Sequence, residues 1–194
     1  MRLINRAVSV IASIALLLGS CILSIPVLAA SELSLTYSYS SSYIKPGESV
    51  TVTVSLDNYQ GNADVGDILG LQVDVLLDSD KVDFVSAAPL LPTEAGDFVQ
   101  AGHNSATDTV SLLYMSLNTE QIALPRATTD LFSFVVTAKS DITDDAAVHF
   151  TVSQFLVNDG SNRSIPVSEG PTFYVLATDP IITLNGAPHT GEIY

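Results

Sequence analysis

The run Val50-Thr51-Val52-Thr53-Val54-Ser55-Leu56 alternates apolar and polar residues without a break. Successive side chains of an extended strand point to opposite faces, so this run sends its apolar groups one way and its hydroxyls the other. That is the pattern of a half-buried strand, and the β-branched residues suit it. Pro46-Gly47-Glu48 reads as the turn that feeds it. Leu71-Gln72-Val73-Asp74-Val75-Leu76-Leu77 repeats the pattern, so Leu71, Val73, Val75 and Leu77 should share a face. Val110–Leu117, Leu131–Ala138, Val148–Val152 and Thr172–Leu176 are further strand segments. Between them Asn58–Asp67, Pro89–Asp97, Gly102–Asp108 and Asn158–Ser164 are rich in Gly, Asp, Asn, Ser and Pro, with Asn158-Asp159-Gly160 the strongest turn signal. No segment sustains a helical stripe; Thr119–Leu124, bounded by Pro125, and Pro92–Ala95 allow a turn or two. The expected fold is all-β: a two-sheet β-sandwich with jelly-roll topology, roughly nine strands and little helix.

The beginning of the chain has a different character. Met1–Arg6 carries Arg2 and Arg6, and Ala7–Leu28 is apolar or small almost throughout, the pattern of a secretory signal. Pro26 breaks a helix, and Val27-Leu28-Ala29 supplies small residues at the cleavage positions, so residues 1–29 are expected to leave before Ala30. Two other readings stand beside this one. The apolar stretch is long enough to remain as a membrane span, and Leu18-Gly19-Ser20-Cys21 resembles a lipobox that would lipidate Cys21. All three place the folded part outside the cytoplasm, secreted or on a bacterial surface. Residues 30–176 then form the domain, and 177–194 a linker or the start of a truncated following module, since a strand begun at Ile181 would have nothing to pair with.

Charge excludes several partners. The seven Lys and Arg include Arg2 and Arg6, which leaves five against 21 acidic side chains beyond the leader. Nucleic acid is excluded because neutralising phosphates requires basic clusters. An anionic bilayer is disfavoured likewise, so contact with a membrane is expected only through an uncleaved or lipidated leader. A single Cys excludes an intrachain disulfide framework.

Signs of catalysis are missing. The sequence contains no GxSxG, Walker-type loop, GxGxxG or HExxH. His103, His149 and His189 are far apart; alternation turns His149 to solvent, and His103 falls in a Gly-Asn-Ser loop. Asp78-x-Asp80-x-x-Asp83 begins like a calcium loop, but Val82 stands at the next ligand position and Asp83 where the turn needs Gly. Glycosidase chemistry needs two carboxylates across a cleft, and no pair of acids is singled out. The expectation is therefore no enzyme, no catalytic residue, no cofactor and no metal on this chain.

Outward apolar residues carry more information. With Leu71, Val73 and Val75 inward, Gln72, Asp74 and Leu76 face away. In Val110–Leu117 the outward set is Ser111, Leu113, Met115 and Leu117, opposite Val110, Leu112, Tyr114 and Ser116. In Leu131–Ala138 the inward set is Phe132, Phe134, Val136 and Ala138, leaving Leu131, Ser133, Val135 and Thr137 outside. A surface mixing Leu, Met and Val with Ser, Gln and Asp suits a protein-binding face with an apolar centre and polar rim. Burial under a loop or the tail would produce the same pattern.

The order of these pieces resembles the cohesin module, the dockerin-binding β-sandwich of cellulosome scaffolds and related bacterial surface proteins. Pro46-Gly47 followed by VTVTVSLDN looks like the family's opening strand, and GLQVDVLLDSDKVDFVSA like its most characteristic stretch. APLLPTEAGDF, TVSLLYMSLN, DLFSFVVTAKSD and VHFTVSQFLVNDGSNRSIPVS are similar to the pieces that follow, so the likeness covers roughly Leu33 to Val175. Leu77-Asp78-Ser79 departs from the usual Tyr-Asp-Pro, and the acidic loop Gly61–Asp67 has no counterpart in the pattern. The resemblance implies a dockerin lying across one sheet built from Gly70–Leu77, Val110–Leu117, Leu131–Ala138 and the segment after Phe155. Carried over, it implies contacts from Gln72, Asp74, Leu113, Met115, Ser116, Ser133, Val135 and Asn158, with calcium on the dockerin.

The leading expectation is thus a secreted, non-catalytic module that captures dockerin-bearing partners, polysaccharide-degrading enzymes among them. A carbohydrate-binding module and a structural spacer are the alternatives. A spacer should carry polar residues at Leu113, Met115 and Val135. Binding of polysaccharide should show a planar tyrosine stripe, and none is legible: Tyr37, Tyr39 and Tyr43 cluster early, Tyr59 lies in a loop and Tyr114 points inward.

Overall fold

Alternation places one apolar face on each strand, and two such faces must cover each other. A computed structural model describes residues 32–92, 95–117, 124–167, 169–178, 181–184 and 187–190. The expected signal segment with Cys21 lies outside these residues, as do Thr119–Ala123 and part of Pro92–Ala95. Fourteen strands are found among the described residues: β1 Ser34–Tyr39, β2 Tyr43–Ile44, β3 Ser49–Asp57, β4 Gly70–Leu76, β5 Val82–Pro89, β6 Asp97–Asn104, β7 Thr109–Ser116, β8 Thr129–Ala138, β9 Ala146–His149, β10 Thr151–Asn158, β11 Asn162–Ser164, β12 Thr172–Val175, β13 Ile181–Leu184 and β14 Ala187–Thr190. No helix among them is long and apolar enough to cross a membrane. The count exceeds nine because β1 and β2, and β9 and β10, are continuous runs broken at Ser40–Ser42 and at Phe150. Short hairpin strands add the rest.

The chain forms a jelly-roll sandwich. One sheet has the order β1-β3-β8-β5 and the other β11-β10-β4-β7-β6. A small sheet, β2-β12-β9, closes one side, since β2 continues β1 of the first sheet and β9 leads into β10 of the second. On the opposite side Phe84 of β5 stacks on His103 of β6, with ring centroids 4.3 Å apart. His103 therefore sits inside a strand and not in the expected loop. The strand begun at Ile181 does find a partner: β13 pairs with β14 as a hairpin.

The core lies between the two large sheets. Val50, Val52, Val54 and Leu56 of β3, Leu71, Val73 and Val75 of β4, and Val110, Leu112 and Tyr114 of β7 are all buried, as alternation requires. Phe132, Phe134, Phe150 and Phe173 run through it in edge and stacked contacts 5.7 to 6.0 Å apart. Each such ring contributes about 1.5–3 kcal/mol through burial alone. Leu131 was expected outside and is buried. The β3–β8 register shifts there, from Val54 opposite Phe132 to Ser55 opposite Asp130, so Leu131 is the extra residue of a bulge and turns inward.

The acidic loop after β3 is folded onto the sandwich. Tyr59 is fully buried; its hydroxyl accepts from the Ile68 amide at 3.0 Å. Arg126 lies over the Tyr59 ring at 4.9 Å and donates to the Asn62 and Val65 carbonyls and to the Asp67 carboxylate. Gly66 presses against the β10–β11 turn: its amide donates to Asp159 Oδ2 at 2.9 Å, and a Cβ on it would lie 2.4 Å from the Asp159 carbonyl oxygen. We expect Gly66→Ala to lower unfolding free energy by about 1–3 kcal/mol, the usual cost of overpacking, measured as a reduced urea midpoint.

Candidate partner-binding face

Pairing in the five-stranded sheet sets its outward side chains in rows. The first row runs Asn162, Asn158, Gly70, Met115, Phe98, and the second Ser164, Leu156, Gln72, Leu113, Gln100. Gln154, Asp74, Ser111 and Gly102 form the third, and Leu76, Thr109 and Asn104 continue the fourth. Inward neighbours of these residues, among them Val73, Leu112, Tyr114 and Phe155, are buried.

This face is apolar at its centre. Leu76, Phe98, Met115 and Leu117 are 41%, 40%, 39% and 59% exposed, half of the eight large exposed hydrophobic residues among those described. Leu113 and Leu156 lie half-buried between them. Gly70 opens a depression of about 310 Å³ floored by Leu71 and Tyr114 and walled by Met115, Leu156 and Asn158. A side chain at Gly70 would begin to fill it, since a Cβ there would lie 3.3 Å from the Asn158 Cβ.

Polar groups cross the apolar rows. The Gln72 amide donates to Asp74 Oδ2 at 2.9 Å and to Gln154 Oε1 at 3.0 Å, which ties β4 to β10. Asp74 is the only charged side chain in these rows, and its Oδ1 has no hydrogen-bond partner among the described residues. Asp78, the first acid of the calcium-like run, pairs instead with Lys81 at 2.8 Å. No cluster of three His, Cys, Asp or Glu side chains fit for a metal occurs among the described residues.

Of the eight residues singled out from sequence, Gln72, Asp74, Leu113, Met115 and Asn158 share this face. Three do not. Ser133 and Val135 lie on β8, in the other large sheet, where they face outward beside Thr53 and Thr51 of β3. Ser116 follows the parity of Tyr114, and its side chain hydrogen-bonds the Tyr114 phenol. Its place is the inner side of the strand end. β6 takes the position expected of Leu131–Ala138 and brings Phe98 and Gln100, which the sequence reading left out. The period-two run Phe98, Gln100, Gly102 against Val99, Ala101, His103 was their only signal, and a Gly-rich segment obscures it.

The edge beside Asn158 is held by a buried acid. Asp159 is 6% exposed at its side chain and pairs with Arg163 at 2.5 Å. Burial alone would raise its pKa. The Gly66 amide and the Arg163 guanidinium outweigh that effect and hold the carboxyl below its ordinary 3.8.

A family model described as "Cohesin domain" matches residues 36–170. No curated protein matches the chain. Among solved structures, the sixth cohesin of scaffoldin B from Acetivibrio cellulolyticus, in complex with a dockerin, is 16% identical with a TM-score of 0.54, covering 75% of this chain and 99% of that one. A type I cohesin–dockerin complex from Clostridium thermocellum is 14% identical with a TM-score of 0.57, covering 73% and 92%. A type II cohesin domain from the Acetivibrio cellulolyticus cellulosome is 10% identical with a TM-score of 0.53, covering 74% and 94%. At these identities the likeness is one of fold.

A carboxyl whose pKa falls on folding stabilises fully above its unfolded value and loses that contribution as pH drops through the folded one. Asp159→Asn should therefore cost about 1–3 kcal/mol at neutral pH, as for a weakened buried charged hydrogen bond. Urea unfolding at several pH values checks the sign: the gap between wild type and variant should narrow as pH drops below 3.8.

Proposed function

This chain belongs to the cohesin family, and we propose that it is a non-catalytic module that captures a dockerin-bearing protein on the outer face of its five-stranded sheet. The observation that carries this reading is the apolar row system of Phe98, Met115, Leu113 and Leu156 around the Gly70 depression, rimmed by Asn158, Asn162, Gln100 and Ser111. An apolar centre with a polar rim is what a desolvating interface needs. Leu113 and Met115 bury area against the partner, while Gln72, Asp74 and Asn158 set its register by hydrogen bonds.

The other large sheet supports no such role. Its outer side pairs Thr51 and Thr53 with Val135 and Ser133, and its exposed apolar side chains, Val85 and Leu90, lie on and just beyond the edge strand β5, away from the sheet centre. Calcium belongs on the dockerin in this reading. The leader of residues 1–29 exports the module, and the cargo includes polysaccharide-degrading enzymes.

Leu113→Asp with Met115→Asp should weaken dockerin binding at least about 30-fold, the loss of roughly 2 kcal/mol expected of central interface positions. Titration calorimetry against a panel of calcium-loaded dockerins measures this, with thermal unfolding as the control for folding. Ser133→Asp with Val135→Asp should leave affinity unchanged. A loss confined to that second variant would move the interface to the other sheet, and no binding to any dockerin would sink the reading.

A further inference from the structure

The small sheet that closes the side of the sandwich has an outer face of its own. Its inner face is Ile44, Phe173, Val175 and Val148, all buried. Tyr43 and Tyr174 lie directly opposite each other on the parallel strands β2 and β12, at 51% and 53% exposure. Neighbouring strands are about 4.8 Å apart, so the two phenol rings stand side by side and point away from the protein. Ala147, across from Tyr174 on β9, is too small to cover either ring.

The next row supplies hydrogen-bonding groups. Thr172 lies opposite His149, and the His149 Nδ1 and Thr172 Oγ1 are 3.0 Å apart. Both side chains line a cleft of about 480 Å³ that is also bounded by Thr151, Glu169 and Gly170. An aromatic platform thus runs directly into a hollow offering an imidazole, two hydroxyls and a carboxylate. The segment is firmly placed: Tyr39 Oη accepts from the Thr172 amide at 2.8 Å, and Tyr37 Oη donates to the Glu169 carbonyl at 3.0 Å.

The chemistry selects the ligand. A tyrosine ring offers an apolar face with a polar tip, which matches the C–H face and rim hydroxyls of a pyranose. Stacked nucleobases would also fit two rings, but single-stranded nucleic acid needs a cationic groove beside them. The chain carries a net charge of −14, and no platform or cleft residue named above is Lys or Arg. Area argues against a protein. Three strands of at most four residues span on the order of 200 Å² at the standard strand and residue spacings, far under the roughly 800 Å² per partner of a stable protein interface.

We infer that Tyr43 and Tyr174 form the stacking platform of a second site, which binds a neutral polysaccharide chain, with His149, Thr172 and Glu169 hydrogen-bonding its hydroxyls. The cleft meets the outer face of the five-stranded sheet only at Thr151, opposite Leu76 at the end of that face, and it uses none of the residues around the Gly70 depression, so the module can hold a protein and a glycan at once.

The test uses the full chain on an array of neutral and anionic glycans, followed by retention on whichever insoluble neutral polysaccharide scores. The wild type should bind a neutral glycan, and Tyr43→Ala with Tyr174→Ala should weaken that at least tenfold at unchanged thermal stability. Tyr43→Phe with Tyr174→Phe should keep most of the binding, because the ring faces remain. Bound glycan should also slow nitration of Tyr43 and Tyr174, read by peptide mass spectrometry. Leu113→Asp with Met115→Asp should bind glycan normally, which separates this site from the dockerin face. No neutral glycan bound, anionic glycans bound exclusively, or retention unmoved by the double alanine variant would each overturn the assignment.

Discussion

The register between β4 and β7 is the constraint on which the rest of the structure turns. Gly70 faces Met115 and Leu76 faces Thr109, with no slip along the seven pairs that these two bound. Because side chains alternate, a shift of one residue would send Leu112 and Tyr114 into water and Leu113 and Met115 into the core. Leu71, Val73 and Val75 buried against Val110, Leu112 and Tyr114 hold the register where it is. The composition of the outer face follows from that choice, and so does the depression over Gly70.

Much of this was legible because alternation is a local property. The inward and outward sets of β3, β4 and β7 follow residue by residue from the period-two rule, and the likeness to the cohesin module gave the order of the pieces. Sheet membership is another matter. Nothing in Leu131–Ala138 says which sheet it joins, so Ser133 and Val135 were grouped with Leu113 and Met115 although β8 pairs with β3 and β5. The bulge that buries Leu131 depends on how Asp130 and Phe132 meet β3, a tertiary matter invisible along the strand. The pairing of Tyr43 with Tyr174 is illegible in the sequence for the same reason. They are far apart in sequence, and only the parallel pairing of β2 with β12 makes them neighbours.

The two faces share one core and differ in what they offer. The five-stranded face is broad, with a single carboxylate among amides and aliphatic groups. The small sheet is narrow, with two rings beside a polar cleft. The loop that follows β3 links neither face chemically, but it buttresses the first: Leu69 donates to the Asn158 carbonyl and Gly66 to Asp159, so the turn bounding the apolar rows is braced from behind. Tyr59 and Arg126 spend their contacts on keeping that brace in place. An acidic segment without a place in the sequence pattern is thus part of the wall of the face.

The parallel pairing of β2 with β12 also has a mechanical side. One strand lies near the start of the folded domain and the other near its end, and both run the same way. Opposed pulling on the two flanking segments would drag these strands lengthwise past each other. The Tyr174-to-Ser42 and Leu176-to-Ile44 bonds, with the Thr172-to-Tyr39 contact, would resist together and not open one after another like a zip. A module tethered by both ends would meet tension with its strongest geometry.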